Sequence, residues 1–415
     1  MTIQGPRIYN VFPLLAGPLA GWRPHLDRAR RMEFNWIFVN PIHRPGVSGS
    51  LYSVADYYAL NPLLVDPSNS TPEDQLLAMI GQVHQLGMKL MLDLVINHTA
   101  ADSPLIGEHP QWYRRDDTGK VVHPGAFEDK NWVSWTDLAA VDNASSPDRD
   151  NLWSYWLSLV RHYAMLGVDG FRCDAAYQVP GDLWRFLIGS TRKEFPNLKF
   201  FAETLGCTPD QTRQVAGTGF DYIFNSSKWW DFSASWCLDQ LRQTAPVIPS
   251  ISFAESHDTE RLAAELTGNR EAVRQRYVFS ALFSTGVMIP IGFEYGFRKR
   301  LHVVYTRPGH WEQSSWDDSD FIRSVNEFKA SQPILNEDAP WELRDSGNPT
   351  VVALLKKSSD GSQAAVLLLN KDLHRVQPFD RPRVERILGG SVSSWFHPRE
   401  ANTLSPAGYL TLLSG

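Results

Sequence analysis

Eight short β-rich runs, separated by longer stretches of helical character, constrain this 415-residue chain more than any other feature. They are Arg7–Phe12, Trp36–Pro41, Lys89–Val95, Val168–Asp174, Leu198–Glu203, Phe220–Asn225, Ser250–Glu255 and Gly286–Ile291. The stretches between them include Pro72–Leu86 and Asn151–Leu166, the latter with apolar residues at Leu157, Val160, Tyr163 and Ala164, the spacing of one helical face. Strands alternating with helices form a parallel sheet with crossover connections. Eight such units predict an α/β fold, a (β/α)8 TIM barrel. The stretch from Asn97 to about Asn143 is rich in Pro, Gly, His and Trp and reads as a loop excursion after strand 3. After about Asn336 alternating strands such as Val351–Lys356 and Ala364–Leu369 take over, which predicts a small C-terminal antiparallel β domain. The expected organisation is a barrel of residues 1–96 and 144–336, an inserted loop domain at 97–143, and a β-sandwich-like domain at 337–415.

Acids and bases are mixed along the chain and leave a net charge of −6. That argues against a nucleic-acid groove and a polybasic membrane surface, and no apolar run is long enough for a membrane helix. A neutral or weakly polar small ligand is favoured. Fifteen tryptophans would serve a barrel core and could also stack on sugar rings. Cys173, Cys207 and Cys237 lack metal-ligand spacing, so the reading is unpaired thiols in a reducing, cytoplasmic setting. The segment from Val11 to Ala20 is broken by Pro13 and Pro18 and reads as a strand and its loop rather than a signal core.

Chemistry concentrates where the strands end. Arg172 and Asp174 share one face of the fourth run, because side chains alternate along a strand. An Asp held by a guanidinium stays ionised well below neutral pH, which suits a nucleophile or an electrostatic stabiliser. Glu203 ends the fifth run among Phe200, Phe201 and Leu205, an apolar setting for an acid with a raised pKa. His257 and Asp258 follow the seventh, and Asp93 lies in the third and reads as support for Arg172. In a (β/α)8 barrel the carboxyl ends of the strands build the site.

These residues fall into a known pattern. Asp93-Leu94-Val95-Ile96-Asn97-His98, Gly170-Phe171-Arg172-Cys173-Asp174, Ala202-Glu203 and His257-Asp258, in that order, resemble the four motifs of the α-amylase superfamily of retaining glycoside hydrolases and transglycosylases. The segment Leu51–Tyr58, followed by Asn61-Pro62, resembles the family's stretch after its second strand. The resemblance implies a double displacement: Asp174 attacks the anomeric carbon, Glu203 is acid and then base, and Asp258 holds sugar hydroxyls near the oxocarbenium-like geometry. It further implies substrate contacts from Tyr52, Asp56, His98, Arg172, Tyr177 and His257, with Tyr52 stacking on the sugar being cleaved.

The departures from that pattern shape the remaining expectations. Ala176, Tyr177 and Gln178 stand where relatives carry a basic residue and a histidine, which opens the question of the acceptor. Ala140 stands where relatives place a calcium-binding aspartate. Asn97 would be a ligand if calcium were bound, but the lost carboxylate weakens a hard-cation site, so no cofactor is expected to be required. Ser256 replaces an asparagine. Glu108–Tyr113 and Ser256–Asp258 locally resemble the maltose-1-phosphate maltosyltransferase branch. Lys130, Arg298, Lys299 and Arg300 are candidates to meet a phosphate, and Tyr295, Phe297, Tyr305, His310, Trp311, Trp229 and Trp230 to shape acceptor subsites. The leading expectation is an enzyme acting on small α-glucosides or maltooligosaccharides. Transfer from a sugar or sugar-phosphate donor is the alternative, and a non-catalytic carbohydrate-binding or scaffold protein the third.

Overall fold

All eight β-rich runs become strands of one closed barrel. The computed structural model describes residues 4–68, 70–128, 131–232, 235–389, 392–395 and 402–414. The barrel strands are β1 (Arg7–Val11), β2 (Trp36–Val39), β3 (Lys89–Leu94), β4 (Gly170–Cys173), β5 (Lys199–Glu203), β6 (Tyr222–Phe224), β7 (Ser250–Phe253) and β8 (Gly286–Pro290), each beside its sequence neighbour until β8 closes on β1. Parallel pairing needs a crossover after each strand, and helices supply it: Arg23–Arg31, Pro72–Gln85, Arg149–Met165, Gly181–Arg192, Pro209–Ala216, Ser235–Thr244 and Arg270–Phe283. The helix Arg149–Met165 buries Leu157, Val160, Tyr163 and Ala164, the residues whose spacing predicted it.

The chain divides into two compact units, Ile8–Phe224 with Leu301–Glu312, and Met1–Arg7 with Asn225–Arg300 and Gln313–Gly415. In the first unit, register fixes which residues face inward. Phe38 pairs with Met91, Met91 with Gly170, Asp93 with Arg172 and Arg172 with Phe201. Neighbours in register point the same way, so Asp93, Arg172 and Phe201 share one inward-facing row, and Phe38, Met91 and Gly170 share another two residues earlier on β3 and β4. Trp36 meets Phe201 edge-on at 5.2 Å. A Cβ at Gly170 would come within 2.8 Å of the Lys199 carbonyl and 3.1 Å of the Trp36 ring, so glycine there makes room for the indole. The excursion after β3 holds two short antiparallel ladders, His98–Ala100 with Leu138–Ala140 and Gly125–Glu128 with Asn131–Ser134.

In the second unit, β9 (Trp341–Arg344), β10 (Val351–Lys357), β11 (Ala364–Asn370), β12 (Val392–Trp395) and β13 (Tyr409–Ser414) form an antiparallel sheet in the order 9-10-11-13-12. Alternate residues Val351, Ala353, Leu355, Val366, Leu368, Leu410 and Leu412 cluster with Val384 and Leu388 of the helix Arg381–Leu388. Burying each such aliphatic side chain contributes roughly 1.5–3 kcal/mol. Among the described residues no helix is long and apolar enough to cross a membrane. The three cysteines are buried and form no disulfide.

Candidate active site

Arg172 gathers the acids of the first unit. It is nearly buried, and its Nη1 donates to both oxygens of Asp93 at 3.0 and 3.1 Å and to Asp174 Oδ1 at 2.5 Å. Its Nη2 lies 4.0 Å from Glu203 Oε2. Burial alone would weaken the guanidinium's charge, but Asp93, Tyr52, Asp174 and Glu203 outweigh it and raise its pKa well above the ordinary value. Asp93 is sealed with it, whereas Asp174 and Glu203 keep 14% and 15% of their side-chain surface exposed. One buried cation thus holds an inner carboxylate and presents two outer ones.

The end of β4 aims the outer pair. The strand stops at Cys173 rather than Asp174, because Ala175 takes the left-handed conformation, with φ 42°. That conformation is strained for a residue with a Cβ and recurs at functional sites. It points the Ala175 N–H at Glu203 Oε2, 2.9 Å away, while the Leu205 N–H reaches Glu203 Oε1 at 3.1 Å. The surroundings of Glu203 are therefore more polar than Phe200, Phe201 and Leu205 imply, since the two turns bring amides to it.

The remaining first-unit candidates divide. The Tyr52 hydroxyl donates to Asp93 Oδ2 at 2.7 Å and accepts from Asn40 Nδ2 at 3.0 Å, which joins it to the cluster. His98 is buried, which lowers its pKa, with the charges of Asp174 and Asp137 opposing. Burial pushes the Tyr177 phenol up to about 12, opposed by its hydrogen bond from Gln178 and assisted by the charges of Glu203 and Asp174. Asp56 spends Oδ1 on the Tyr58 and Ala59 amides and takes no part in the Arg172 hydrogen bonds. Asn97 donates to Gln178 Oε1 at 2.8 Å. Among the described residues no group of three or more His, Cys, Asp or Glu could hold a metal ion, and the donors around Asn97 make a poor fit to calcium, which seeks several carboxylate oxygens. Asn10 and Asn40 are site neighbours that the sequence reading omits. A polar residue inside or just after an apolar strand was their one signal.

In the second unit, His257 Nε2 lies 3.0 Å from Asp258 Oδ2, and that aspartate is half exposed. Ser256 Oγ accepts the Asp258 amide, and Arg300 donates to the Asp258 carbonyl at 2.8 Å. Glu255, two residues past β7, is different: buried, it accepts from Arg261 at 2.8 Å and from the Leu262 amide at 2.5 Å. Burial raises its pKa although Arg261 works against this. Of the phosphate candidates, Arg300 also pairs with Glu260 at 3.3 Å, and Lys130 lies outside the described residues. Of the aromatic candidates, Tyr305, Trp229 and Trp311 have exposed rings, whereas Phe297 and Trp230 are buried.

The chain is similar to several known proteins in sequence and fold. A family model described as the glucanotransferase domain of glycogen debranching enzyme matches residues 1–119. An α-1,4-glucan:maltose-1-phosphate maltosyltransferase of Burkholderia pseudomallei is 24% identical over 382 residues, covering 89% of this chain and 33% of that protein. One of Rhodospirillum rubrum is 26% identical over 411 residues, covering 90% and 57%. The chain thus spans between a third and three-fifths of the length of these two relatives. The fold is similar to that of an α-amylase from Lactobacillus plantarum, with a TM-score of 0.79, 19% identity and 99% of each chain covered. Fold and site define a (β/α)8 barrel protein with an arginine-centred carboxylate cluster at its strand ends. With the four motifs, these comparisons make the chain similar to proteins of the α-amylase superfamily, with a link to the maltosyltransferases.

Proposed function

We propose that this chain is a retaining enzyme of α-glucosidic bonds, hydrolysing small α-glucosides or maltooligosaccharides through a covalent glycosyl-enzyme. The observation that carries the reading is the Arg172 guanidinium, which bonds Asp174 and lies 4.0 Å from Glu203. Asp174 then attacks the anomeric carbon while Glu203 in its acid form gives a proton to the departing oxygen. Glu203 next takes a proton from the incoming water as the ester to Asp174 breaks, and two inversions leave the product α. The family pattern assigns Asp258, with His257, to holding sugar hydroxyls. Tyr52 supplies a ring face, and His98, Arg172 and Tyr177 line the same subsite.

A second reading, transfer to a sugar hydroxyl from a sugar or sugar-phosphate donor, is favoured by the similarity to maltosyltransferases. Only the acceptor differs between the two. We also propose that calcium is not required and that the protein works in the cytoplasm. EDTA-treated protein keeping its full turnover would support the first of these.

The test is to follow anomeric proton signals by NMR on a panel of α-glucosides and maltooligosaccharides, with and without phosphate. α-Configured product is expected, free sugar marking hydrolysis and longer chains or sugar phosphate marking transfer. A β-configured first product would contradict the proposal.

A further inference from the structure

We infer that Asn40, backed by Asn10, is a positioning residue that sets the direction of the Tyr52 hydroxyl and, through it, the Asp93–Arg172–Asp174 set. The catalytic part of this rests on the functional reading above. Asn10 lies in β1 opposite Phe38 of β2, and Asn40 directly follows β2. Both are fully buried, so no bulk water substitutes for their partners. Asn10 Nδ2 lies 3.1 Å from the Phe38 carbonyl and 2.9 Å from Asn40 Oδ1. Asn40 Nδ2 in turn lies 3.0 Å from the Tyr52 oxygen, which is 2.7 Å from Asp93 Oδ2.

Amide and hydroxyl directions are ordinarily open to inversion. Here both ends of the chain are acceptors. A backbone carbonyl cannot donate, so Asn10 turns its nitrogen to Phe38 and to Asn40. Asn40 consequently shows its oxygen to Asn10 and its nitrogen to Tyr52. The Tyr52 oxygen, already accepting from Asn40, directs its hydrogen at Asp93, the carboxylate that Arg172 grips with the same Nη1 that holds Asp174. Asn40→Asp would keep the shape and reverse the polarity. An aspartate accepts from both neighbours and draws the hydroxyl hydrogen away from Asp93.

The test is a double-mutant cycle on N40A, Y52F and N40A/Y52F, with N40D beside it, read both as kcat on an α-glucoside that the wild type turns over and as urea-unfolding midpoints. N40A is expected to lower kcat about tenfold, the scale of one hydrogen bond in a charged network, and N40D to lower it further. In the Y52F background N40A is expected to add less than about twofold, because coupled residues do not add. Full multiplication of the two single effects, or wild-type turnover by N40D, would overturn the inference. Should N40A fail to fold, N40S takes its place in the cycle. If the wild type turns over no α-glucoside, the functional reading fails and the unfolding cycle decides the hydrogen-bond chain alone: coupling supports it and additivity overturns it.

Discussion

Two buried arginines sit beside acids past the ends of barrel strands, and they are used in opposite ways. Arg261 is closed: Glu255 takes its Nη1, its Nη2 and Nε bond the carbonyls of Ile291 and Lys299, and both side chains are at most 2% exposed. Arg172 is open. It shares one nitrogen between the sealed Asp93 and the partly exposed Asp174, and the left-handed Ala175 nearby turns its amide to Glu203. An arginine–carboxylate pair at a strand end is therefore not a site by itself. A site needs a second carboxylate that the same cation holds without burying.

The difference should show most strongly in activity. Asp174→Asn and Glu203→Gln are each expected to lower kcat by about 10⁴-fold or more, as loss of a covalent or proton-transfer group does, with only small shifts in the unfolding midpoint. Steady-state kinetics and urea unfolding on the same samples check both halves.

Glu255→Gln should behave the other way. It leaves Arg261 charged and buried without its carboxylate, at a cost of about 3–5 kcal/mol in stability, while turnover per folded molecule stays near wild type. A variant with wild-type stability and lost turnover would reverse the roles assigned to the two regions.

A third buried cation sharpens the comparison on a smaller scale. Lys356 donates to the Glu337 carbonyl over the Trp341 ring, and burial pulls its pKa from 10.5 to about 8 despite the nearby charges of Asp338 and Glu337. Between those two values the unfolded chain binds more protons at this lysine than the folded one, so the contribution of Lys356 to stability should rise with pH from about 8 towards 10.5 and be flat below. Lys356→Met should remove that rise and be neutral or stabilising at pH 7, by at most about 3 kcal/mol. Urea unfolding from pH 7 to 10.5 reads it.

Much of the barrel is legible in the sequence because each strand and helix carries its own period. The acids are legible because they stand at the ends of apolar runs. What binds them is less so. The bond between Asn10 and Asn40 depends on the register of two strands 28 residues apart, which neither segment encodes alone. The amides that reach Glu203 come from turns, where one backbone angle at Ala175 decides the direction of an N–H. Asp56 lies within a motif-like segment, yet its carboxylate turns to its own strand, a local hydrogen bond competing with a distant one. Glu255 and Asp258 are three residues apart and look alike in sequence, but only folding shows that Arg261 closes over the first.

The most direct test of the account is to trap the glycosyl-enzyme. The protein would be incubated with 5-fluoro-α-glucosyl fluoride, digested, and its peptides analysed by mass spectrometry. One added fluoroglucosyl group on the Asp174 peptide, absent in Asp174→Asn, is the expected result. Turnover of an α-glucoside with the label on another carboxylate, or with Asp174→Asn as active as the wild type, would contradict the assignment of Arg172 and Asp174 as the centre of the chemistry.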